Sequence, residues 1–164
     1  MLEVNVQFLK GIGPSKAVKL KKLNIFTVED LLNYFPIKYE DRRTVENIND
    51  IENNNKCLLK VKLFEKPKKT KVKKNMSIIK AVVHDDTGFI TLTFFNQDFL
   101  MDKLIPGELY YVFGNAKASF GKFEMANPEI EFCKKDWKAH KIMPLYNLTY
   151  GLSNNELTKI MMTA

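Results

Sequence analysis

The chain has 164 residues, 45% of them hydrophobic and 12 of them Phe, enough apolar side chain for a real core and too much for a disordered polypeptide. Its net charge of +7 is concentrated: Lys66, Lys68, Lys69, Lys71, Lys73 and Lys74 supply six positive charges within nine residues that hold no acid, leaving the rest near neutral. No apolar run approaches the ~20 residues of a membrane span, and the start Met-Leu-Glu-Val-Asn-Val lacks the basic and apolar regions of a secretory signal. Cys57 and Cys133 stand apart among apolar neighbours, which fits free thiols in a reducing compartment, and with His84 and His140 they do not cluster as zinc ligands do.

Residues 1–50 read as a helical lead-in. Phe8-Leu9-Lys10-Gly11-Ile12-Gly13-Pro14 is a turn opening a helix, with Pro14 suited to its first position and Ala17, Leu20 and Leu23 as its apolar stripe. Asn24-Ile25 breaks that stripe, and Thr27 with Asp30 forms a capping-box pattern for a second helix from Val28 to about Tyr34, stopped by Pro36. The Gly-Ile-Gly turn is similar to the hairpin of helix-hairpin-helix modules. Gly11, Gly13 and Lys16 are therefore candidate phosphate contacts, because a helix start offers free N–H groups and partial positive charge; a tight corner is the alternative. Residues 38–55 are polar, anchored by Ile48 and Ile51, and read as a connector.

Residues 51–134 are patterned as strands around one helix. Cys57, Leu59, Val61 and Leu63 alternate in a first strand, the lysine window follows as a loop, and Ser77 to Val83 makes a second strand. Asp85-Asp86-Thr87-Gly88 reads as a hairpin turn, with Gly88 expected at positive φ, rather than as a magnesium site. In the third strand Ile90, Leu92 and Phe94 share one face, while Thr91, Thr93 and Phe95 share the other. Asn96 is expected to cap a short helix on which Leu100, Met101 and Leu104 face the core and Phe99 points away. Phe95 and Phe99 are then either a base-stacking platform or, for Phe95 with Leu100, a hydrophobic staple. After Pro106-Gly107, Leu109, Tyr111 and Phe113 alternate in a fourth strand, and Phe123, Met125, Ile130 and Phe132 supply a fifth that Pro128 interrupts. Five strands with a helix between the third and fourth is the order of an OB-fold barrel, whose second and third strands and adjoining loops commonly receive oligonucleotides. The lysine window then offers phosphate contacts, or else only blunts a sheet edge.

Residues 135–164 are a polar exit containing Trp137, an extended stretch at Ile142 to Tyr146, and a helix capped by Ser153 that stops mid-pattern at Ala164, as a longer polypeptide cut short would. No G-x-x-x-x-G-K-[ST] run and no nucleophile with a base is present, so no catalytic residue and no metal ligand is assigned.

Ordered short motifs carry a family resemblance. Leu9-Lys10-Gly11-Ile12-Gly13-Pro14, Thr27 to Leu32, Tyr34-Phe35-Pro36 and Tyr39-Glu40-Asp41-Arg42 resemble the opening of the bacterial RecG DNA helicases. Asp86-Thr87-Gly88, Phe95-Asn96-Gln97, Leu104 to Gly107, Met125 to Glu129, Pro144-Leu145-Tyr146 and Gly151-Leu152-Ser153 resemble their wedge domain. The resemblance implies a mainly β, OB-fold wedge that binds branched or single-stranded DNA, such as stalled forks and Holliday junctions. It also implies motor domains, following in the same polypeptide, that use ATP and magnesium for fork regression and branch migration. It places the stacking aromatics at Phe95 and Phe99, with Asn96 and Gln97 in support, Phe99 standing where Tyr is usual. It further implies a monomer in the bacterial cytoplasm, associated with the nucleoid, with no membrane partner. Two rivals remain: a free-standing single-strand-binding OB fold, and a protein-docking module using Phe99 and Trp137.

Overall fold

A computed structural model describes residues 2–133 and 142–163. In chain order the strands are β1 (Lys38–Asp41), β2 (Val45–Glu46), β3 (Asn55–Leu63), β4 (Lys68–Lys73), β5 (Met76–His84), β6 (Phe89–Phe95), β7 (Leu109–Ser119), β8 (Lys122–Ala126), β9 (Glu129–Phe132) and β10 (Ile142–Leu145). The α-helices are α1 (Pro14–Lys21), α2 (Val28–Leu32), α3 (Leu100–Lys103) and α4 (Asn154–Met161). The chain divides into two compact units, Met1–Asp41 with Ile142–Ala164, and Arg42–Lys141.

In the first unit the amino-terminal helices share a core with the carboxy-terminal helix: Val6, Ala17, Leu20, Ile25 and Leu31 pack with Leu152, Leu157 and Ile160. Thr27 and Asp30 close the expected capping box on α2, which ends at Leu32, and Ser153 with Glu156 closes a second on α4. β1 pairs antiparallel with β10, and Tyr34 stacks on Tyr146 while its hydroxyl donates to the Asn147 carbonyl at 3.0 Å. Residues 142–163, part of the stretch 135–164 read from sequence as an exit with its own helix, thus complete the helical lead-in.

In the second unit, β3, β5, β6, β8 and β7 follow one another around a ring that β7 closes by pairing back on β3. That strand order, with α3 between β6 and β7, is the OB fold. Leu59, Val61, Ile79, Ala81, Val83, Ile90, Leu92, Phe94, Val112 and Met125 fill its interior, capped by Leu100 and Leu104 of the α3 segment. The expected cut at residue 50 falls inside this unit, since Ile48 and Ile51 of the supposed connector lie in the barrel core. In β7 the core face is Tyr110, Val112 and Ala116, not the alternating set Leu109, Tyr111 and Phe113; Leu109 is exposed, and Phe113 packs on the outside with Leu58. Buried Tyr110 satisfies its hydroxyl by accepting from the Ile105 N–H at 2.8 Å, which ties the loop after α3 to the barrel.

Gly88 does not adopt positive φ. The position is tight instead: a Cβ there would lie 3.2 Å from both Asn49 Oδ1 and Ile48 Cγ2. The turn is held by Asp85, whose carboxylate accepts from the backbone N–H of Thr87 at 2.7 Å, Gly88 at 2.9 Å and Ile48 at 2.8 Å, and from the Thr87 hydroxyl at 2.6 Å. Asp85-Asp86 is therefore a turn that fastens residues 48–50 to the barrel. Among the described residues no three of His, Cys, Asp and Glu converge to hold a metal ion, and no helix is long and apolar enough to cross a membrane.

Candidate nucleic-acid interface

Most of the lysine window, expected as a loop, is strand: β4 holds Lys68, Lys69, Lys71 and Lys73, with Lys66 and Lys74 flanking it. β4 pairs antiparallel with β5, Lys68 opposite Lys80 and Lys71 opposite Ser77, so the lysines line one arm of a ribbon that turns at Lys74-Asn75. All six are exposed, because β4 extends past the barrel wall and neither of its faces meets a core. Among the described residues Lys68 pairs with Glu65 at 2.9 Å and Lys69 pairs with Asp98; Lys66, Lys71, Lys73 and Lys74 carry no ion pair.

At the ribbon's tip end, β6 finishes at Phe95. Its core face is Ile90, Leu92 and Phe94, as the alternation requires, so half-buried Phe95 stands on the outer face opposite Ile78. Asn96 is not a helix cap. It takes φ +54 and matches both backbone groups of Ser77, donating its N–H to the Ser77 carbonyl at 2.9 Å and accepting the Ser77 N–H on Oδ1 at 3.0 Å. Its side chain replaces a backbone carbonyl where the chain leaves the sheet, a role open to Asn because it tolerates the left-handed region. The cap of α3 is Phe99, so Phe95 does not occupy the staple position, and Phe99 lies just before the helix with 54% of its surface exposed.

Two residues that the sequence reading passed over fix this corner. Asn127, at φ +46, accepts on Oδ1 from the Phe95 N–H at 3.0 Å and from Gln97 Nε2 at 3.2 Å. Asp98 accepts from Lys69 Nζ and the Ser77 hydroxyl, contacts that hold its carboxyl below the usual range and bind the lysine ribbon to the Phe95–Phe99 turn. The sequence assigns neither a role: Asn127 stands within the Met125-to-Glu129 motif of the resemblance, and Asp98 is an ordinary loop polar residue until its partners are known.

A groove of about 580 Å³ opens here, lined by Lys71, Lys73, Lys74, Asn96, Asp98 and Phe99. One wall is cationic, one lip is the half-exposed Phe99 ring, and the Lys103 ammonium lies over that ring, 5.1 Å from its centre. The arrangement can take a phosphodiester against the lysines and a flat ring against Phe99. In the first unit, Gly11 sits at φ +88, Gly13 caps α1 without a side-chain bond, and Lys16 Nζ donates to the Gly11 carbonyl at 3.1 Å. Trp137 and the expected polar exit lie outside the described residues.

The RecG wedge domain family matches residues 5–164. The chain belongs to that family. It is 37% identical over 163 residues to the ATP-dependent DNA helicase RecG of Thermotoga maritima, covering 97% of this chain and 20% of that protein. Against RecG of Streptococcus pneumoniae it is 31% identical over 160 residues, covering 95% of this chain and 22% of the other. A solved structure of RecG bound to a three-way DNA junction superimposes with a TM-score of 0.87 at 36% identity, over 99% of this chain and 22% of that one. The chain thus spans about a fifth of the length of the RecG proteins it matches. Within this wedge domain, the barrel places Phe95, Asn96, Gln97, Phe99 and the ribbon lysines at one corner.

Proposed function

We propose that this chain is the DNA-binding wedge of a RecG-type helicase, which engages branched DNA and keeps a parted duplex from closing. The observation that carries this is the pairing, at one barrel corner, of an exposed phenyl ring with a cationic groove whose lysines carry no ion pair among the described residues. The lysines attract phosphates irrespective of sequence. Bases freed at a junction lie on Phe95 and Phe99, where stacking is worth roughly 1–3 kcal/mol per base, the same order as the cost of unpairing. Phe99 stacks as a Tyr would. Asn96, Gln97, Asn127 and Asp98 act by fixing where the rings stand, and binding follows DNA shape rather than sequence. The Gly11–Lys16 turn adds a phosphate contact from the first unit, through the backbone N–H groups at the start of α1.

The sequence holds no phosphate-binding Gly-Lys-Ser/Thr run. In this reading ATP and magnesium belong to motor domains of the same polypeptide, which pull the arms of stalled forks and Holliday junctions through in fork regression and branch migration. The parent works as a monomer in the bacterial cytoplasm, on the nucleoid. That the RecG matched in structure is bound to a three-way junction supports the substrate class.

The test is anisotropy of a labelled three-way junction against a linear duplex of equal length, at two salt concentrations. The junction binds more tightly, and a Phe95→Ala, Phe99→Ala variant loses that preference while keeping the salt dependence. Equal affinity of the unaltered chain for both DNAs defeats the proposal.

A further inference from the structure

The outer face of the β5–β6 ladder has aromatics at both ends. Reading across the register, Phe95 faces Ile78, Thr93 faces Lys80, Thr91 faces Val82, and Phe89 faces His84. Phe95 marks the wedge corner; the opposite end is a separate cluster that the proposed function leaves unused. Phe64, just past β3, meets Phe89 edge-on with ring centres 5.3 Å apart, and His84 lies 5.3 Å from Phe89 and 5.9 Å from Phe64. These rings do not close the barrel. Phe64 and Phe89 remain 57% and 58% exposed, whereas a cluster that serves packing hides its faces. Beside them is a cleft of about 470 Å³, lined also by Glu65, Val82, Thr91 and Lys122.

Charge decides what fits. Lys80 and Lys122 are exposed on this face, and Lys68 is the register partner of Lys80. Of the acids here, Glu65 takes Lys68, and Glu124 has Lys117 as its register partner on β7, so lysines outnumber acids on this face. An apolar protein surface has no use for lysines spaced along the rings, but a chain of phosphates with flat bases does. The separation also fits. Six residues of strand between Phe89 and Phe95 span about 20 Å, a few nucleotides of unstacked strand and within the reach of a single OB fold. At the tip of the β7–β8 hairpin, two residues before Lys122, Phe120 is fully exposed at φ +47, a strained setting that packing does not explain.

The geometry points to a second stacking station: the single strand released at Phe95 runs along the outer face of β5–β6, its phosphates on Lys80 and Lys122, and a base rests on Phe89 and Phe64. This rests on the reading of the chain as a junction binder, and the experiment separates the two.

Labelled junctions carry one single-stranded thymidine tail of zero to eight nucleotides, and affinity is measured for the 164-residue chain and two double variants. The expected result is affinity that rises once the tail passes about four nucleotides and then levels. Phe64→Ala with Phe89→Ala removes that rise, roughly five- to a hundredfold at long tails, and leaves the tailless junction unchanged. Both rings are more than half exposed, so the core survives; unaltered thermal melts verify this. Identical tail dependence in this variant, or no tail dependence in the unaltered chain, overturns the station. If Phe95→Ala with Phe99→Ala abolishes junction preference at the same time, the proposed function stands without it. A tail effect that persists through the wedge variant and vanishes in the Phe64/Phe89 variant keeps the station and removes the wedge role.

Discussion

Arg42 grips Glu129 with both prongs of its guanidinium, Nη1 to Oε2 at 2.8 Å and Nη2 to Oε1 at 3.0 Å, while its central carbon lies 3.9 Å from the centre of the Phe113 ring. Arg42 is 6% exposed and Glu129 half exposed, so the two ends of the pair are not equivalent. Removing the carboxylate takes a two-pronged partner from a buried cation, which costs more than removing the cation beside a solvated acid.

Glu129→Ala is therefore expected to lower unfolding free energy by about 2–3 kcal/mol and the melting temperature by roughly 4–12 °C. Arg42→Lys is expected to lose most of the same stability, since an ammonium offers neither the fork nor the flat face over Phe113. Calorimetric melts of the two variants check this. An Arg42→Lys variant as stable as the parent shows that charge alone suffices.

Acid should loosen the barrel through Asp85. Burial alone would raise its pKa, but the Thr87 hydroxyl and the N–H groups of Ile48, Thr87 and Gly88 outweigh that and hold it below the ordinary value. A carboxyl whose folded pKa lies below its unfolded one stabilises fully above the unfolded value, about 4. That stability is lost as pH falls through the folded value. Asp85→Asn is expected to cost about 1–2 kcal/mol at pH 7 by mismatching one of the N–H partners, and to make the loss below pH 4 shallower. It does not abolish that loss: Asp30, held down by the N–H groups of Phe26 and Thr27, and Glu156, held down by Ser153, have shifts of the same sign. Urea melts at several pH values measure it.

Phe120 and Gly121 form the two-residue turn between β7 and β8, at φ +47 and +75, with Ser119 and Lys122 as the flanking pair. Both central positions are left-handed, a conformation Asn takes at little cost and Phe does not. Phe120→Asn is expected to raise stability by about 1 kcal/mol, or roughly 2–4 °C, whereas Phe120→Ala, which keeps a Cβ in the same conformation, gains little. Equal gains from both would locate the benefit in lost apolar exposure rather than in the backbone.

Much of the barrel is legible in the sequence because period-two patterning is a direct imprint of burial. Ile90, Leu92 and Phe94 announce the inner face of β6, and the capping boxes at Thr27 and Ser153 announce their helices. The errors have physical causes. A window of lysines has no apolar period, so β4, which meets no core, cannot be told from a loop. In β7, Leu109, Tyr111 and Phe113 outweigh Tyr110 and Val112 by side-chain type, yet closure of the ring decides which face is inside. Pairing of β1 with β10 joins positions about a hundred residues apart, which local pattern does not encode. Phe89 is different. The alternation that singles out Phe95 also puts Phe89 on the outer face, and only its place beside Gly88 makes it look like part of the turn.

The ribbon lysines should not contribute equally to DNA binding. Lys68 and Lys69 are committed to Glu65 and Asp98, while Lys66, Lys71, Lys73 and Lys74 carry no ion pair among the described residues. Each phosphate contact made to single strands steepens the dependence of log affinity on log salt by about 0.7, and to duplex by about 0.9. Replacing the four lysines without an ion pair by Gln is expected to flatten the slope by about 3, whereas Lys68→Gln with Lys69→Gln flattens it by less than about 1. The second variant does something else: it releases Asp98 from the ribbon, so the Phe95–Phe99 turn loses a tie and junction preference falls at every salt concentration. Anisotropy titrations over a fivefold salt range distinguish the two. Equal slope changes from both variants would mean that DNA draws Lys68 and Lys69 off their carboxylates on binding.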